Sequence, residues 1–539
     1  MKSRPVHPRS ASRKASLLLM LSGVLLCGTA AAQQRGGTLT VGLSYDIDTL
    51  NVYSTGYLGD VQATVVEGLL APDKNANYVP VLATAVPTLK NGGIKLSADG
   101  KKMTITYKLR RDVKWSDGKP FTSADVKFTW EAIKNPKFTA ESKDGSDDIE
   151  SITTPDAYTA VVNYKRVAPD YASTLFTFGI FPKHALEGKD LNTDVYNEKP
   201  LGTGPFKVKE FRRGQYVIVE RNPYYWRKDS KGVQLPYLDQ IVFKIIPDSN
   251  TLVTQLKSGE IQMTSSVPYA QVTQLDAVPG MNIVKNNVLS WQHLDFNFKG
   301  PASLRDLNVR QAFAYAINKS AISKALGGYP VPLDTVVVPV FAASNKNVPK
   351  YPYDPAKARA LLDAAGYKPG PDGIRAKNGE RLSYKILVQA GRANDELAQQ
   401  VIIGSLKAVG IELVPDNKTG VAFREARYKG GYDVFYSGWI TSADPVYSVF
   451  FKTGGVNNGQ GFSNARIDAL LDRAENTLDP DIQKKALMDF QVELMRQLPT
   501  IPVTSNLSVI AVTDKLGNFV PNPTNMTNFV DTSRWYLKK

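Results

Sequence analysis

The sequence predicts an α/β protein arranged as two large lobes or about three domains. Its 539 residues are several times the roughly 100–200 residues of one typical domain. Hydrophobic residues make up 42% of the chain and charged residues 22%, a globular composition that excludes a disordered or fibrous protein. Strand patterns and helix patterns alternate along the sequence, and this alternation favours sheets covered by helices.

Residues 1–32 have the pattern of a secretory signal peptide. Five Lys and Arg residues and no acid lie within the first sixteen positions, an apolar run follows at 17–27, and Ala30-Ala31-Ala32 provides small residues for cleavage. The apolar run is too short to span a bilayer, which needs about 20 residues. We expect cleavage near Ala32 and a soluble protein exported to the periplasm or cell envelope.

Cysteine and histidine are too few for several kinds of site. Cys27 is the single cysteine, so a disulfide within the chain and a multi-thiolate zinc site are excluded. Leu26 precedes Cys27, whereas a bacterial lipoprotein signal has a small residue there, so we do not expect a lipid anchor. His7, His184 and His293 are too few for a multi-histidine metal centre, and we expect neither a metal nor a cofactor.

The first half of the chain is rich in strand patterns. Residues 38–43 and the alternating segment 102–109 predict strands. Asp117-Gly118 predicts a tight turn, and Ser123 is a candidate cap for a helix that ends near Ile133.

The segment 201–226 predicts a hairpin with a narrow entrance. Gly202 and Gly204 permit the tight entry, Gly214 suits the turn, and Asn222-Pro223 ends the second strand. The strand pattern 216–220 lies within this hairpin, and another follows at 241–246.

The region 305–510 is more helical. An apolar stripe, capping residues and terminal glycines mark its helices. The predicted elements are helices at 306–326, 354–366, 394–409, 466–477 and 481–498, with a strand at 411–414.

Several sequence segments resemble one family along the whole mature chain. LGTGPFKVKEFRRGQYVIVERNPYYW at 201–226 resembles the signature of the family 5 extracellular solute-binding proteins of ABC importers, the dipeptide/oligopeptide-binding group. GGTLTVGLSYDIDTLN at 36–51, VKWSDGKPFTSADVKFTWEAI at 113–133 and LDFNFKGPASLRDLNVRQAFAYAIN at 294–318 agree in order and spacing. YSGWITSADPVYSVFF at 436–451 resembles the Gly-Trp loop of the family.

The resemblance implies a two-lobed, periplasmic-binding-protein-like fold of type II, or cluster C, with an extra α/β subdomain in the first lobe. Lobe I would comprise residues 33–75, 200–290 and 505–539. The additional subdomain would span 76–199, and lobe II 291–504. Such proteins hold a ligand between their lobes and close by a hinge motion.

The resemblance also implies ligand contacts in the Gly-Trp loop. Trp439 would line the pocket for a ligand side chain. Peptide-binding members often place an Asp three residues after this Trp to hold the α-ammonium group, and here Ser442 occupies that position. Either the nearby Asp444 takes this role or the ammonium anchor is absent, because a hydroxyl cannot replace a charge-assisted pair.

Other candidate contacts lie in three further segments. Arg392 lies near the position at which dipeptide-binding relatives hold the ligand carboxylate, and its planar guanidinium suits that task. The family loop at Ser54–Tyr57 would offer backbone partners to an extended peptide. The remaining candidates come from this loop and from the predicted lobe crossover: Thr55, Gly56, Tyr57, Trp291 and His293.

The sequence therefore predicts an exported receptor and not an enzyme. We expect it to bind a small solute, a di- or oligopeptide, and to deliver it to the membrane permease of an ABC importer with its ATPase. The alternative is a receptor of the same fold for an oligosaccharide, an opine or a metal chelate. A monomer is expected.

Rival classes find little support in the sequence. A secreted hydrolase is a distant alternative, because 461–465 only half resembles a nucleophile elbow and Ser463 is more simply a helix cap. No phosphate-binding loop motif is present, so the chain is not the ATPase. Despite the formal charge of +15, the basic residues are scattered, and nucleic acid is not an expected partner.

Overall fold

The computed structural model describes residues 35–55, 59–141, 143, 145–264, 266–444, 446–524 and 527–539. The predicted signal peptide, its cleavage site and Cys27 lie outside these residues. Among the helices of the described ranges, none combines the length and the apolar character that a membrane crossing requires.

Strands occur along the whole described chain. They are β1 (Thr38–Leu43), β2 (Leu70–Pro72), β3 (Tyr78–Pro80), β4 (Ile94–Leu96), β5 (Met103–Lys108), β6 (Ile149–Asp156), β7 (Thr159–Tyr164), β8 (Phe206–Arg212), β9 (Tyr216–Arg221), β10 (Gln240–Ile245), β11 (Met263–Thr264), β12 (Met281–Phe296), β13 (Val331–Pro332), β14 (Lys368–Pro369), β15 (Arg375–Lys377), β16 (Glu380–Arg381), β17 (Ser383–Gln389), β18 (Glu412–Lys418), β19 (Val434–Ile440), β20 (Thr500–Thr513), β21 (Leu516–Gly517) and β22 (Tyr536–Leu537).

Helices are concentrated after residue 300. They are α1 (Gln62–Val65), α2 (Ser123–Lys134), α3 (Lys183–Leu186), α4 (Ser249–Ser258), α5 (Val272–Asp276), α6 (Leu307–Ala316), α7 (Lys319–Ala325), α8 (Pro355–Ala364), α9 (Ala393–Lys407), α10 (Gly420–Lys429), α11 (Ser448–Phe451), α12 (Ala465–Glu475) and α13 (Pro480–Gln497).

One mixed sheet organises the molecule. Its strand order is β18-β17-β19-β12-β20-β11-β1-β10-β9-β8, with β13 paired to β20. We call β1 and β8–β11 the first half, β17–β19 the second half, and β12 and β20 the crossing strands. Each half has its own buried core, the first around Val41, Phe243 and Trp535 and the second around Phe313, Ile386 and Tyr436.

The crossing strands connect the two halves. The start of β12 pairs with the end of β20, where Met281 lies opposite Thr513. The same end of β20 also pairs with β11 of the first half. The end of β12 pairs with the start of β20 and with β19, as far as Phe296 opposite Val434. The register of the crossing strands shifts between Asn287 and Trp291, at the level where one half gives way to the other.

Strand direction makes the carboxyl ends of both halves face this boundary. β1 is parallel to β10 and β11, and these strands run with β12, which leads from the first half towards the second. β17 is parallel to β18 and β19, and these run with β20, which leads back towards the first half. The two sets of carboxyl ends therefore point at each other.

A second, four-stranded sheet is inserted after the first strands of the chain. Its order is β4-β5-β7-β6, and all neighbouring strands are antiparallel. Helix α2 covers it, and Ile105, Trp115, Phe121 and Val162 are buried in its core. We call this sheet with its covering segments the inserted part. The domain bounds given above remain predictions.

The hairpin at 201–226 is confirmed. β8 and β9 pair antiparallel, and Gly214 adopts a positive φ of 70° in the turn between them. Gly202 must lie close to the backbone of Val65, because a Cβ there would lie 1.9 Å from the Val65 carbonyl oxygen. The amide of Gly204 donates to the same oxygen at 2.9 Å. The motif thus joins the hairpin to α1.

The predicted helix at 306–326 is wrong in one respect, because the structure divides it into α6 and α7. Ile317 is extended, with φ −74° and ψ 115°, and ends α6. The side chain of Asn318 then accepts a hydrogen bond from the Ala321 amide at 2.9 Å and caps α7. Asparagine favours such local side-chain bonds over a helix interior. The apolar stripe continues across the break because both helices face the same core.

Two predicted caps are also wrong by one residue. Thr122, not Ser123, is the N-cap of α2, and its amide donates to Asp125 at 2.8 Å. Ser123 donates its hydroxyl to the Asp156 carbonyl instead, at 2.6 Å. Asn464 caps α12 by accepting from two backbone amides, and Ser463 contacts the hydroxyl of Thr453 at 2.9 Å.

Candidate ligand-binding site

The second half presents three loops at the carboxyl ends of its parallel strands. Arg392 follows β17, Thr419 follows β18, and the loop 441–447 follows β19. Ligands of open α/β sheets bind in the crevice outside these ends. Because the first half points its own carboxyl ends at the same boundary, the boundary is the candidate site.

Arg392 is available for a ligand. It is exposed and occupies the N-cap position of α9. Among the described residues, its guanidinium has no hydrogen-bond or ion-pair partner. One helical turn later, Asp395 is buried; burial raises the pKa of its carboxyl group, while the charges of Arg392 and His293 oppose the shift.

Trp439 is packed on both sides and is only 9% exposed. The guanidinium carbon of Arg427 lies 3.6 Å from the centre of its ring. The imidazole of His293 stacks on it, with ring centres 5.7 Å apart and planes inclined by 4°. Phe450 contacts it at 4.4 Å between ring centres. The indole therefore belongs to a layered aromatic cluster at the edge of the boundary.

Trp291 and His293 lie on crossing strand β12, directly opposite Trp439 and Ser437 of β19. Both are buried, at 0% and 1% exposure. His293 Nδ1 lies 2.8 Å from Asp295 Oδ1, whereas its Nε2 and the Nε1 of Trp291 are buried without a hydrogen-bond partner. Trp291 and His293 therefore lie at the predicted lobe crossover, but their side chains are not exposed at the surface.

The loop after β19 is shaped by its own hydrogen bonds. The hydroxyl of Ser442 donates to the backbone carbonyl of Asp444 at 2.5 Å. The amide of Thr441 donates to the Leu289 carbonyl on β12 at 2.9 Å. Ser442 is thus engaged in the loop backbone and turns Asp444 towards the inserted part.

Asp444 lies against residues of the inserted part. The charges of Asp444 and Asp170 both act on the hydroxyl group of Tyr78, and the hydroxyl of Ser173 donates to the backbone carbonyl of Asp170 at 3.0 Å. Burial raises the pKa of Asp444 to about 7, and the charge of Asp170 adds to the shift. Its Oδ2 is buried without a hydrogen-bond partner. Both the burial and the charge of Asp170 disfavour the ionised form of Asp444, and a nearby cationic group would favour it.

The segment after β1 contains the predicted contacts of the first half. Thr55 is buried, and its hydroxyl donates to Asp48 at 2.9 Å. The predicted contacts Gly56 and Tyr57 lie outside the described residues.

A separate cavity of about 310 Å³ lies in the first half, next to α1. Its walls include Gln62, Glu67, Val81 and Val530, and none of the predicted ligand residues that the structure describes lines it. Within the described ranges no group of three or more His, Cys, Asp or Glu side chains could hold a metal ion.

The chain matches the model of the bacterial extracellular solute-binding proteins, family 5, over residues 77–460. The chain belongs to this family. The resemblance drawn from 201–226 and the other segments is thereby confirmed.

Members of the family resemble the chain over nearly its full length. The oligopeptide-binding protein AppA of Bacillus subtilis is 26% identical over 95% of this chain and 93% of its own. The glutathione-binding protein GsiB of Salmonella choleraesuis is 29% identical over 87% and 89%.

Solved structures of family 5 proteins share the architecture. AppA of Bacillus subtilis, solved with a nonapeptide, superposes with a TM-score of 0.77 at 26% identity and covers 94% of this chain and 100% of its own. NikZ of Campylobacter jejuni, solved with Ni(L-His), gives a TM-score of 0.77 at 26% identity, with 93% and 99% covered. The predicted two-lobed α/β fold is confirmed.

The sequence did not point to several residues that the structure places next to the predicted contacts. Asp295 could have been found, because it lies two residues after His293 and therefore on the same face of a strand. Arg427 and Asp170 reach the site from distant segments, and nothing in their local sequence indicates it.

Proposed function

We propose that this family 5 protein is the exported receptor of an ABC importer and that it binds a peptide between its two halves. One observation carries the proposal: the carboxyl ends of both halves face a common boundary, which two crossing strands span. A ligand that contacts both sets of loops stabilises the closed arrangement, because contacts to both halves exist only there.

The charged groups at the boundary fit the two ends of a peptide. Arg392, exposed and unpartnered among the described residues, would hold a carboxylate in two hydrogen bonds. Asp444, with its buried and unpartnered Oδ2, would accept the ammonium group. Thr55, Gly56 and Tyr57 would offer backbone partners from the first half. The peptide would leave chemically unchanged.

The aromatic cluster would form the firm wall of this site. Trp439 would present its edge to a ligand side chain while Arg427 and His293 hold its faces. Trp291 would support the cluster from β12. Ser442 would act through the loop, because its hydroxyl is bonded to the carbonyl of Asp444.

A receptor for a non-peptide solute is the second candidate. The replacement of the usual aspartate by Ser442 favours it, and NikZ, a protein of similar fold, was solved with Ni(L-His). In that case an intact chelate or an opine would occupy the same boundary and would use Arg392 for its carboxylates.

The remaining parts of the proposal concern location and partners. The signal pattern of residues 1–32 supports export and cleavage near Ala32. A monomeric receptor would dock in its closed form on permease subunits that carry the ATPase. It would need no cofactor and no nucleic acid.

Native mass spectrometry tests the proposal. Protein purified without denaturation should carry a small molecule that denaturation releases, and peptides are the expected species. If oligosaccharides or metal chelates are released instead, the ligand is not a peptide and the second candidate function is correct. When the protein is incubated with the released small molecule, the mass of that molecule should stay unchanged. New products of lower or higher mass would overturn the assignment of the protein as a receptor.

A further inference from the structure

The cavity beside α1 is lined by none of the described residues that were proposed to contact a ligand at the boundary between the halves. Its described walls come from α1, the hairpin β2–β3, and residues 520–522 and 527–531, and its volume of about 310 Å³ is within the range of small-molecule sites. Most of its wall is aliphatic or aromatic. The apolar contributors include Val66, Val79, Val81, Phe178 and Val530.

One hydrogen-bond acceptor in the cavity wall has no partner. Gln62 is 4% exposed, and its Nε2 donates to the Thr49 carbonyl at 2.8 Å, while its Oε1 is buried and unpartnered. Gly59, which also lines the cavity, leaves room for this amide, because a Cβ at Gly59 would lie 1.2 Å from Oε1. A buried acceptor without a partner costs free energy, and a ligand N–H would satisfy it.

The acids around the cavity outnumber the bases. Glu67, Asp73 and Asp531 contribute carboxyl groups, and Arg227 and Lys74 contribute the positive charges. Arg227 is shared, since it lies 4.0 Å from Glu67 and 3.8 Å from Asp531. An incoming ammonium group would be attracted by this excess, and a carboxylate would be repelled.

Glu67 is a built part of the wall and not a surface acid. Its carboxylate accepts from Trp226 Nε1 at 2.9 Å and from the hydroxyls of Tyr225 and Thr203 at 3.2 Å each. Burial raises its pKa, while Arg227 and these donors oppose the shift. The carboxylate is therefore held in a fixed position by three donors that do not themselves line the cavity.

We infer that this cavity is a second binding site, for a small hydrophobic amine. The apolar body of the amine would fill the aliphatic wall, and its ammonium group would donate to Gln62 Oε1. The inference is independent of the solute proposed for the boundary, because the two sites share none of the described residues.

Calorimetric titration with three probes of equal body tests the inference: 2-phenylethylamine, 2-phenylethanol and 3-phenylpropionate. The amine should bind at least several-fold more tightly than the alcohol, and the carboxylate should not bind. Equal binding of all three would overturn the inference, as would failure of the amine to bind.

Two variants locate the bound amine. Gln62→Met keeps the side-chain length and removes the acceptor, so it should weaken amine binding about tenfold, the equivalent of one hydrogen bond. Ala71→Phe should fill the cavity and abolish binding. Val456→Ala changes a side chain that is 77% exposed and does not line the cavity, so it is the control and should leave amine binding unchanged. Unchanged amine binding in both Gln62→Met and Ala71→Phe would place the amine elsewhere and overturn the inference.

Discussion

Asp444 of the second half and Asp170 of the inserted part share one buried environment. Burial raises the pKa of Asp444 to about 7, and the negative charge of Asp170 contributes. Arg166 lies 3.5 Å from Asp170 but also pairs with Asp148 at 2.7 Å. Glu475 of α12 faces Asp170 as well, and burial raises its pKa too. The contact between the second half and the inserted part is therefore rich in acids.

We predict that the ligand-free protein is more compact at pH 5 than at pH 8. An aspartate in water has a pKa near 3.9, so the described arrangement, in which burial raises the pKa of Asp444 to about 7, binds the proton more tightly than a more open form would. This stabilisation is complete below about pH 4 and is lost as the pH rises through about 7. Small-angle scattering should show a smaller radius of gyration at pH 5.

The variant Asp444→Asn is the control for this pH effect. Its amide is neutral at both pH values, so its radius of gyration should change little between pH 5 and pH 8. If the radius of gyration changes equally in the variant and the wild type, the pH effect on compactness must come from other groups, such as Asp170 or Glu475.

The affinity for a peptide with a free ammonium group should depend on pH with the opposite sign. Protonated Asp444 cannot pair with an ammonium group, so binding should strengthen as the pH rises through about 7. Titration calorimetry at several pH values measures this. An N-acetylated peptide lacks the charge and should show no such rise; a parallel rise for both peptides would exclude Asp444 as the ammonium anchor.

Trp439→Ala should destabilise the protein by about 3–5 kcal/mol, because it removes a buried indole from contact with Arg427, His293 and Phe450. Urea unfolding measures the loss. The neighbouring Ile440 is 58% exposed, and Ile440→Ala should change the free energy of unfolding by no more than about 0.5 kcal/mol. Normal stability of Trp439→Ala with weakened ligand binding would show that the indole serves the ligand alone.

Arg392→Ala should weaken the binding of a ligand with a free carboxylate about tenfold or more, while the unfolding midpoint stays near that of the wild type. The side chain is exposed and has no described partner to lose, so its removal leaves the fold intact. A peptide with an amidated C-terminus should bind the wild type and the variant equally. Equal loss for both peptides would place the effect outside the carboxylate contact.

Glu67→Ala should cost about 3 kcal/mol or more of stability, because three donors lose their common acceptor. Thr203→Val removes one of these bonds and should cost only about 1 kcal/mol. Urea unfolding of both variants provides the comparison. Similar small losses in both would mean that water replaces the carboxylate.

The mature protein should begin at Gln33. Cleavage after the small residues Ala30–Ala32 would remove Cys27, so the exported protein should contain no thiol. Intact-mass measurement and N-terminal sequencing of exported protein give the result. Ala32→Trp should block cleavage at this position, and a lipid-modified Cys27 at the N-terminus would contradict the prediction.

Local elements were predictable because their signals are local. Gly214 permits the turn between β8 and β9, and Asp354 caps α8 through the Lys357 amide at 2.9 Å, as the sequence indicated. The break between α6 and α7 was missed because the apolar stripe continues through it. At this position the backbone of Ile317 is extended, and the side chain of Asn318 accepts a hydrogen bond from the backbone of α7. The spacing of apolar residues indicates neither feature.

The candidate site was predictable only in part. Trp439, Ser442, Asp444 and Arg392 were named because they follow family motifs in the sequence. That Trp439 is sandwiched by Arg427 and His293 depends on β12 pairing with β19 across about 150 residues of chain. The order of strands in the sheet determines which residues contact a side chain in the folded protein, and a local sequence pattern does not contain that order.

The sequence by itself determined the family, through the resemblance of its motifs, and it determined the α/β class and the hairpin at 201–226, because glycine conformations, capping groups and apolar periodicity act between residues close in the chain. Only the tertiary structure decided which charges meet at the boundary. Asp444 becomes an acid of raised pKa because β12 and β20 bring a loop of the second half against Asp170 and Tyr78, where water is excluded. The desolvation of a side chain depends on which residues pack around it in three dimensions, and this cannot be read from its neighbours in the sequence.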